Sequence, residues 1–327
     1  TYYYSCISVH GSNLNKANYP VSEIIIADGT ESYSHQQEIF DRCLIEMRTL
    51  DSFITVRYYH LPSLSLFDRL SFLADSTCSP YVFPVGDDDL PLISNLECVE
   101  PFFAKNPGLS CVAGRLVNIT SIKHSNLDLS IRERPYAGFA LNHLCPVARL
   151  NQFKVLNDLG VAALFYSVQK AINFRKITEM LKNNQGGLYY GGSEFLHQVF
   201  CCLQGSLIFE DKPFVLRDFT YYNYAREPMR EAPDSDAYPY HGKIAVALAA
   251  KLLAESAGMR ESNALEYIRS LIRDTDLARA NEMVSGALDD TLLKSKSLNG
   301  LTKLHYKCAR LAWIETLECC YQTLSKA

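Results

Sequence analysis

Short apolar runs alternate with helically spaced stretches over the first third of the chain, and this alternation restricts it to a layered α/β architecture. Ser22–Ala27 reads Ser-Glu-Ile-Ile-Ile-Ala and stops at Asp28, Gly29 and Thr30, as a strand buried on both faces does where it enters a loop. His35–Leu50 has helical spacing at Ile39, Cys43 and Met47, and Phe53–Tyr59 alternates as a second strand. Leu66, Leu70 and Leu73 predict a helix over Leu66–Ser76. Tyr81–Val85 predicts a third strand, Leu90–Lys105 a helix and Leu109–Ala113 a further strand. The expected fold class is α/β, a doubly wound, mostly parallel sheet flanked by helices, with ligands beyond the carboxyl ends of its strands. Asp28 and Asp87 both fall at such ends.

The pattern loosens from Thr120. Polar loops are expected over Ser121–Pro135, helices over Val147–Leu181 and Glu194–Leu203, and a long loop over Tyr221–Pro239. Every segment from Gly242 to Ala327 reads as helix, which divides the chain into a catalytic-type domain over 1–240 and a C-terminal all-helical region over 241–327. The 327 residues are 48% hydrophobic, enough for a sizeable core. A net charge of −4 and no basic block longer than a pair disfavour a nucleic-acid partner. The 11 cysteines form no C-x-x-C motif, so neither structural zinc nor a disulfide scaffold is indicated, and reduced thiols in a cytoplasm fit best. No run of 18 apolar residues and no signal-peptide pattern is present, so a soluble protein, or one peripheral to an inner membrane, is expected with no transmembrane segment.

Gly86-Asp87-Asp88-Asp89 follows directly on the third strand. On an extended backbone, residues i and i+2 point the same way, so Asp87 and Asp89 can share one hard cation, Mg²⁺ or Mn²⁺, with positions left open for phosphate oxygens. The same run also fits an acidic turn in which Asp89 caps a helix through Pro91–Leu96.

Ser22–Thr30, the helix after it, and Phe67–Leu90 with its Gly-Asp-Asp-Asp ending together resemble the GT-A glycosyltransferases of the family-2 type, especially the branch of bacterial surface-polysaccharide synthesis. The likeness spans about residues 15 to 225, fainter through Pro146–Leu150, Leu164–Val168, Ser193–Leu196 and Leu216–Phe219, and leaves the helical tail outside. It implies a GT-A, Rossmann-like sheet and metal-dependent sugar transfer from a nucleoside-diphosphate-sugar to a hydroxyl of a saccharide or lipid-linked saccharide. In that resemblance Asp28 accepts hydrogen bonds from the nucleobase, Asp87 and Asp88 face the donor, Asp89 is the direct metal ligand, and Arg69 approaches the nucleotide. Glu194 takes the place of the acidic residue that deprotonates the acceptor, which implies inversion at the anomeric carbon. A solvated helix-face arginine at 69 and an exposed helix-start glutamate at 194 are the alternatives.

Other residues add to or compete with this reading. His197, three positions after Glu194, is a candidate to complete the metal sphere, the alternative being a surface histidine. Arg217 beside the strand-like Pro213–Leu216 is a candidate clamp for the diphosphate. Tyr221, Tyr222 and Tyr224 can stack on acceptor sugar rings or simply cover the core, and the C-terminal helices can pack on the core or join a partner module or second subunit. Thr1–Pro20 has no room for the resembled fold's whole first unit, so the first strand is expected to be missing and the chain to open inside the first helix. Pro84 removes a donor from a central strand, predicting a bulge or break. Ile26 stands where haloacid-dehalogenase-type phosphatases carry a nucleophilic Asp, which argues against that chemistry. A noncatalytic saccharide-binding or scaffold module and a metal-dependent nucleotidyltransferase remain as alternatives.

Overall fold

A computed structural model describes residues 3–9, 21–29, 55–86, 89–122, 128–133, 139–141, 145–156, 164–188, 190–218 and 242–272. The predicted helix over 35–50, the loop over 221–239 and the helices beyond 272 lie outside these residues.

Among the described residues, ten strands form one sheet. They are β1 (Tyr3–Val9), β2 (Val21–Asp28), β3 (Thr55–His60), β4 (Tyr81–Gly86), β5 (Asp89–Pro91), β6 (Leu109–Ile122), β7 (Asp128–Glu133), β8 (Phe139–Leu141), β9 (Ser167–Lys170) and β10 (Ser206–Asp218). The main order is β3-β2-β1-β4-β9-β6-β10-β5, with β7 against β6 and β8 against β10. β2 is parallel to β3, and β6 to β10, while β1 and β9 run against both their neighbours. It follows that β2, β3, β4, β6 and β10 all point one way and bring their carboxyl ends to one edge. The α/β class is as expected, and the interleaved reversed strands make the sheet mixed. A strand, not the end of a helix, opens the described chain: β1 occupies the slot between β2 and β4, antiparallel to both.

The helices are α1 (Leu66–Ser76), α2 (Val99–Lys105), α3 (Pro146–Leu156), α4 (Ala171–Asn183), α5 (Tyr190–Gln204), α6 (Lys243–Ala257) and α7 (residues 261–272). α1 starts where the periodicity predicts. The Ser65 hydroxyl accepts from the Asp68 amide at 3.1 Å, and Phe67, Leu70, Leu73 and Ala74 turn inward. Its last carbonyls are met from outside: Arg175 donates to Ala74 and Thr77 at 3.0 and 2.6 Å, and Arg57 donates to Ser76 at 2.5 Å.

Three expectations are corrected. The helix expected over Leu90–Lys105 is divided into β5, a 3₁₀ turn at Ile93–Cys98, and α2. Pro101 would break the interior of one long helix, and restarting at Val99 places it in a first turn, where its missing N–H is unneeded. The helical stretch expected over Val147–Leu181 is interrupted by β9, which joins β4 to β6 and whose end is fixed by Ala171 N–H donating to Pro80 O at 2.8 Å. The loop expected over Ser121–Pro135 contains β7, which pairs with β6 and in which Leu129 and Ile131 alternate with polar residues as in a strand.

β9 is short, and this shapes the carboxyl edge. It pairs with β4 only at Tyr81 and Val82, and with β6 only at Cys111–Ala113, so β4 and β6 part company beyond it. Pro84 sits past that point, in the ladder to β1 and opposite Cys6 without a register shift, where the other edge of β4 is already unpaired. Phe83 and Phe214 meet edge to face in the gap at 6.2 Å, and a Cβ at Gly114 would overlap the Phe214 ring.

A single apolar core runs from the sheet through α5 into α6 and α7, where Ala245, Val246, Leu253, Ile268 and Leu271 are buried. Tyr267 of α7 donates to Asn151 of α3 at 2.7 Å. The C-terminal helices described thus pack on the chain's own core. Arg149 of α3 is buried and donates through Nε to Cys202 O at 2.6 Å and through Nη2 to Leu203 O at 3.1 Å, closing the end of α5. Arg149→Met should leave those carbonyls without donors and cost about 2 to 3 kcal/mol in urea unfolding. An unchanged midpoint would show that water replaces the guanidinium. No helix among the described residues is long and apolar enough to cross a membrane.

Candidate functional site

The carboxyl edge gathers most of the residues singled out in the sequence. Asp28 ends β2 and is fully buried. Its carboxylate accepts from the Tyr58 hydroxyl at 2.5 Å, and its carbonyl accepts from Leu61 N–H at 2.6 Å. The register explains the first contact. Tyr58 on β3 lies opposite Ile26, which makes Asp28 its diagonal neighbour two residues on.

Arg69 approaches the same corner from α1. It is 7% exposed, so the solvated alternative does not hold. Its Nη1 donates to Leu64 O at 2.6 Å, and its guanidinium lies so close to Gly29 that any Cβ there would overlap it. Asp28 and Arg69, 41 positions apart in the sequence, thus flank one glycine.

The acidic run begins beside them. Tyr4 of β1 pairs with Ala27 on one side and Gly86 on the other, which puts two strand spacings, about 10 Å, between the ends of β2 and β4. Asp87 and Asp88 lie outside the described residues. Asp89 opens β5 and stands opposite Arg217 in the antiparallel ladder to β10, one residue from the carboxyl end of that strand. The tie is extended by Leu92 N–H donating to Phe214 O at 2.8 Å. Asp89 is therefore a strand residue, not the cap of a helix. The carboxylates of 87 and 89 are the hard oxygen donors that Mg²⁺ and Mn²⁺ take. Among the described residues, no group of three or more His, Cys, Asp or Glu side chains forms a metal site.

Glu194 and His197 lie on α5, which begins at Tyr190 despite Gly191 and Gly192 because its inner face is buried from Phe195 to Leu203. With Ser193 they line a small cavity of about 20 Å³, closed by Leu66 and Leu70 of α1, Phe165, and Leu181 of α4. This cavity is on the carboxyl side of the sheet: α1 starts soon after β3 ends, and Phe165 leads into β9, which runs in reverse. Glu194 is half-buried in its wall, in place of the exposed helix start that was the alternative.

His197 is 2% exposed, which overturns its surface alternative. Its Nε2 is 2.9 Å from Gln169 Oε1, and its ring meets Phe165 edge to face at 5.5 Å. The Gln169 amide nitrogen donates to Leu164 O and Phe165 O at 3.2 and 3.4 Å, which leaves its oxygen to accept. His197 therefore carries its proton on Nε2 and presents a bare lone pair at Nδ1. Burial lowers its pKa to about 3, so it is neutral at ordinary pH.

Because the folded pKa lies below the unfolded value of about 6.5, this histidine leaves stability untouched above that pH and removes it as the pH falls. Unfolding free energy should drop by roughly 1.6 kcal/mol between about pH 6.5 and pH 5, before most carboxylates titrate. Urea unfolding at the two pH values checks this, with His197→Gln expected to flatten the slope.

Tyr58, Ser193 and Gln169 escaped the sequence reading. Tyr58 had a signal, since it lies two residues before the end of a strand that pairs with β2. Gln169 had none, because its partner His197 is 28 positions away.

No protein-family description matches this chain, and no curated protein matches it. Among solved structures, it is similar to the crystal structure of residues 1–349 of S. aureus TarS, a staphylococcal wall teichoic acid glycosyltransferase. The two are 12% identical with a TM-score of 0.38, over 73% of this chain and 63% of that one. This chain thus spans under two thirds of that structure, and a likeness of this degree carries no argument about activity.

Proposed function

We propose that this chain is the catalytic part of a GT-A-type glycosyltransferase of polysaccharide biosynthesis. It would move a sugar from a nucleoside diphosphate to a saccharide hydroxyl with inversion. The observation that carries the reading is the meeting of Asp28, Arg69, Gly86 and the Asp89–Arg217 register pair at one carboxyl edge, where β4 and β6 separate. Open α/β sheets bind their ligands in such crevices.

Asp28, oriented by Tyr58, accepts from the nucleobase; reaching it requires the donor to displace what now covers its carboxylate. Arg69 and Arg217 supply positive charge for the diphosphate. Asp87 and Asp89 would hold Mg²⁺ or Mn²⁺, which when bound offsets the charge left on the departing diphosphate. Glu194 takes the proton from the acceptor hydroxyl as the new glycosidic bond forms and the anomeric bond to phosphate breaks. A space of about 20 Å³ admits no sugar, so the acceptor would have to reach the half-buried Glu194 from outside that cavity.

A nucleoside diphosphate with Mn²⁺ should raise the melting temperature, and either alone should not. Gly29→Ala drives Arg69 from its place, and its nucleotide-dependent shift should fall by half or more. Wild-type binding with alanine at 29 would remove Arg69 from the donor site, and pyrophosphate release from a nucleoside triphosphate would replace sugar transfer with nucleotidyl transfer.

A further inference from the structure

We propose that the cavity between α1, α4 and α5 is a site for one water, which donates one hydrogen to His197 Nδ1 and the other to the Glu194 carboxylate. His197 then acts as a positioning residue for Glu194. The part concerning Glu194 as base rests on the function proposed above, and the water site itself does not.

Three observations carry the inference. The first is the tautomer: Gln169 gives its amide protons to Leu164 and Phe165 carbonyls, so its oxygen must accept from Nε2–H, and His197 Nδ1 can only accept. The second is that Nδ1 is buried and has no hydrogen-bond partner among the described residues. An acceptor of that kind costs free energy unless a donor reaches it. The third is the space: His197 lines a cavity of about 20 Å³, above the roughly 10 to 15 Å³ that one water needs. Ser193 and Glu194 stand in the same wall, giving a water the two to four polar neighbours that hold it in place.

The rest of the wall is Leu66, Leu70, Phe165 and Leu181, which offer neither donors nor charge. The charged residues beside these leucines are engaged elsewhere. Asp68 accepts from Ser65 and stands 3.8 Å from Lys182, and Arg69 donates to Leu64 O. A divalent ion would find one nitrogen lone pair, one carboxylate and the Ser193 side chain in an otherwise apolar shell, whereas a neutral water can donate to both the nitrogen and the carboxylate with its two hydrogens. Held by this water, the Glu194 carboxylate keeps one orientation.

The test uses the whole chain labelled with ¹⁵N-histidine. Long-range proton–nitrogen correlation should show His197 protonated at Nε2, with Nδ1 shifted toward the position of a hydrogen-bonded acceptor and an exchange peak between the ring and a long-lived water. Glu194→Leu should abolish that water peak. A bare Nδ1 resonance with no water peak overturns the site. His197→Phe should lower kcat for transfer by about 10² with KM within about twofold, and His197→Gln, which retains an acceptor, should restore most of the loss. Unchanged kcat in His197→Phe overturns the positioning role. If the water signals are present while Glu194→Gln keeps full turnover, the water site stands, and both the assignment of Glu194 as base and the positioning role attached to it fall.

Discussion

Asp89→Ala should abolish the manganese-dependent thermal stabilisation by a nucleoside diphosphate and slow sugar transfer by about 10² to 10³. The size of the effect follows from what the substitution leaves intact. Asp89 begins a three-residue strand held to β10 by the pairing of residues 89–91 with 215–217 and by Leu92 N–H on Phe214 O. That ladder is made by backbone groups, so alanine should preserve the chain path and remove only the carboxylate. Asp89 is the register partner of Arg217, at the edge where Asp28 and Gly86 also end. Calorimetry of Asp89→Ala with Mn²⁺ and a nucleoside diphosphate reads the outcome directly. Full binding with full metal dependence would remove Asp89 from the metal site and leave the case for Mg²⁺ or Mn²⁺ on Asp87 alone.

Glu194→Gln should reduce transfer by about 10² to 10⁴ while donor binding is unchanged. Glutamine matches glutamate in size, so the wall it shares with Leu66, Leu70, Phe165 and Leu181 remains filled, and the loss is confined to proton acceptance. Glu194 is on a different helix from Arg69, which predicts that the two functions separate under mutation. The nucleotide-dependent thermal shift should survive Glu194→Gln and be weakened in Gly29→Ala. Turnover retained by Glu194→Gln would assign the base elsewhere.

Pattern alone made several parts of this protein legible. Ser22–Ala27 is a strand because its run of isoleucines suits an extended apolar position, with Ile25 and Ala27 fully buried and Ile24 and Ile26 partly so, and Leu66–Ser76 is a helix because its apolar spacing allows little else. Asp28 was legible as an edge residue because it adjoins the end of an apolar run; Asp87, read in the same way, lies outside the described residues. Pairing was not legible in the same way. That β7 pairs with the outer half of β6 is not written in either segment, and β1 fills a central slot in a direction that no local pattern dictates.

The environment of single polar residues was the least legible. Arg69 and Arg149 look alike in the sequence, yet one lies against Gly29 near Asp28 and the other closes the last turn of α5. His197 could be written as a surface group or a ligand until Gln169, Phe165 and Phe174 enclosed it. The sequence by itself determined which segments were apolar enough to be buried and where carboxylates interrupt them, because those are properties of neighbours along the chain. Tertiary structure alone decided strand direction, the split beyond β9, and the protonation of His197, because backbone pairing and desolvation depend on groups brought together from distant positions.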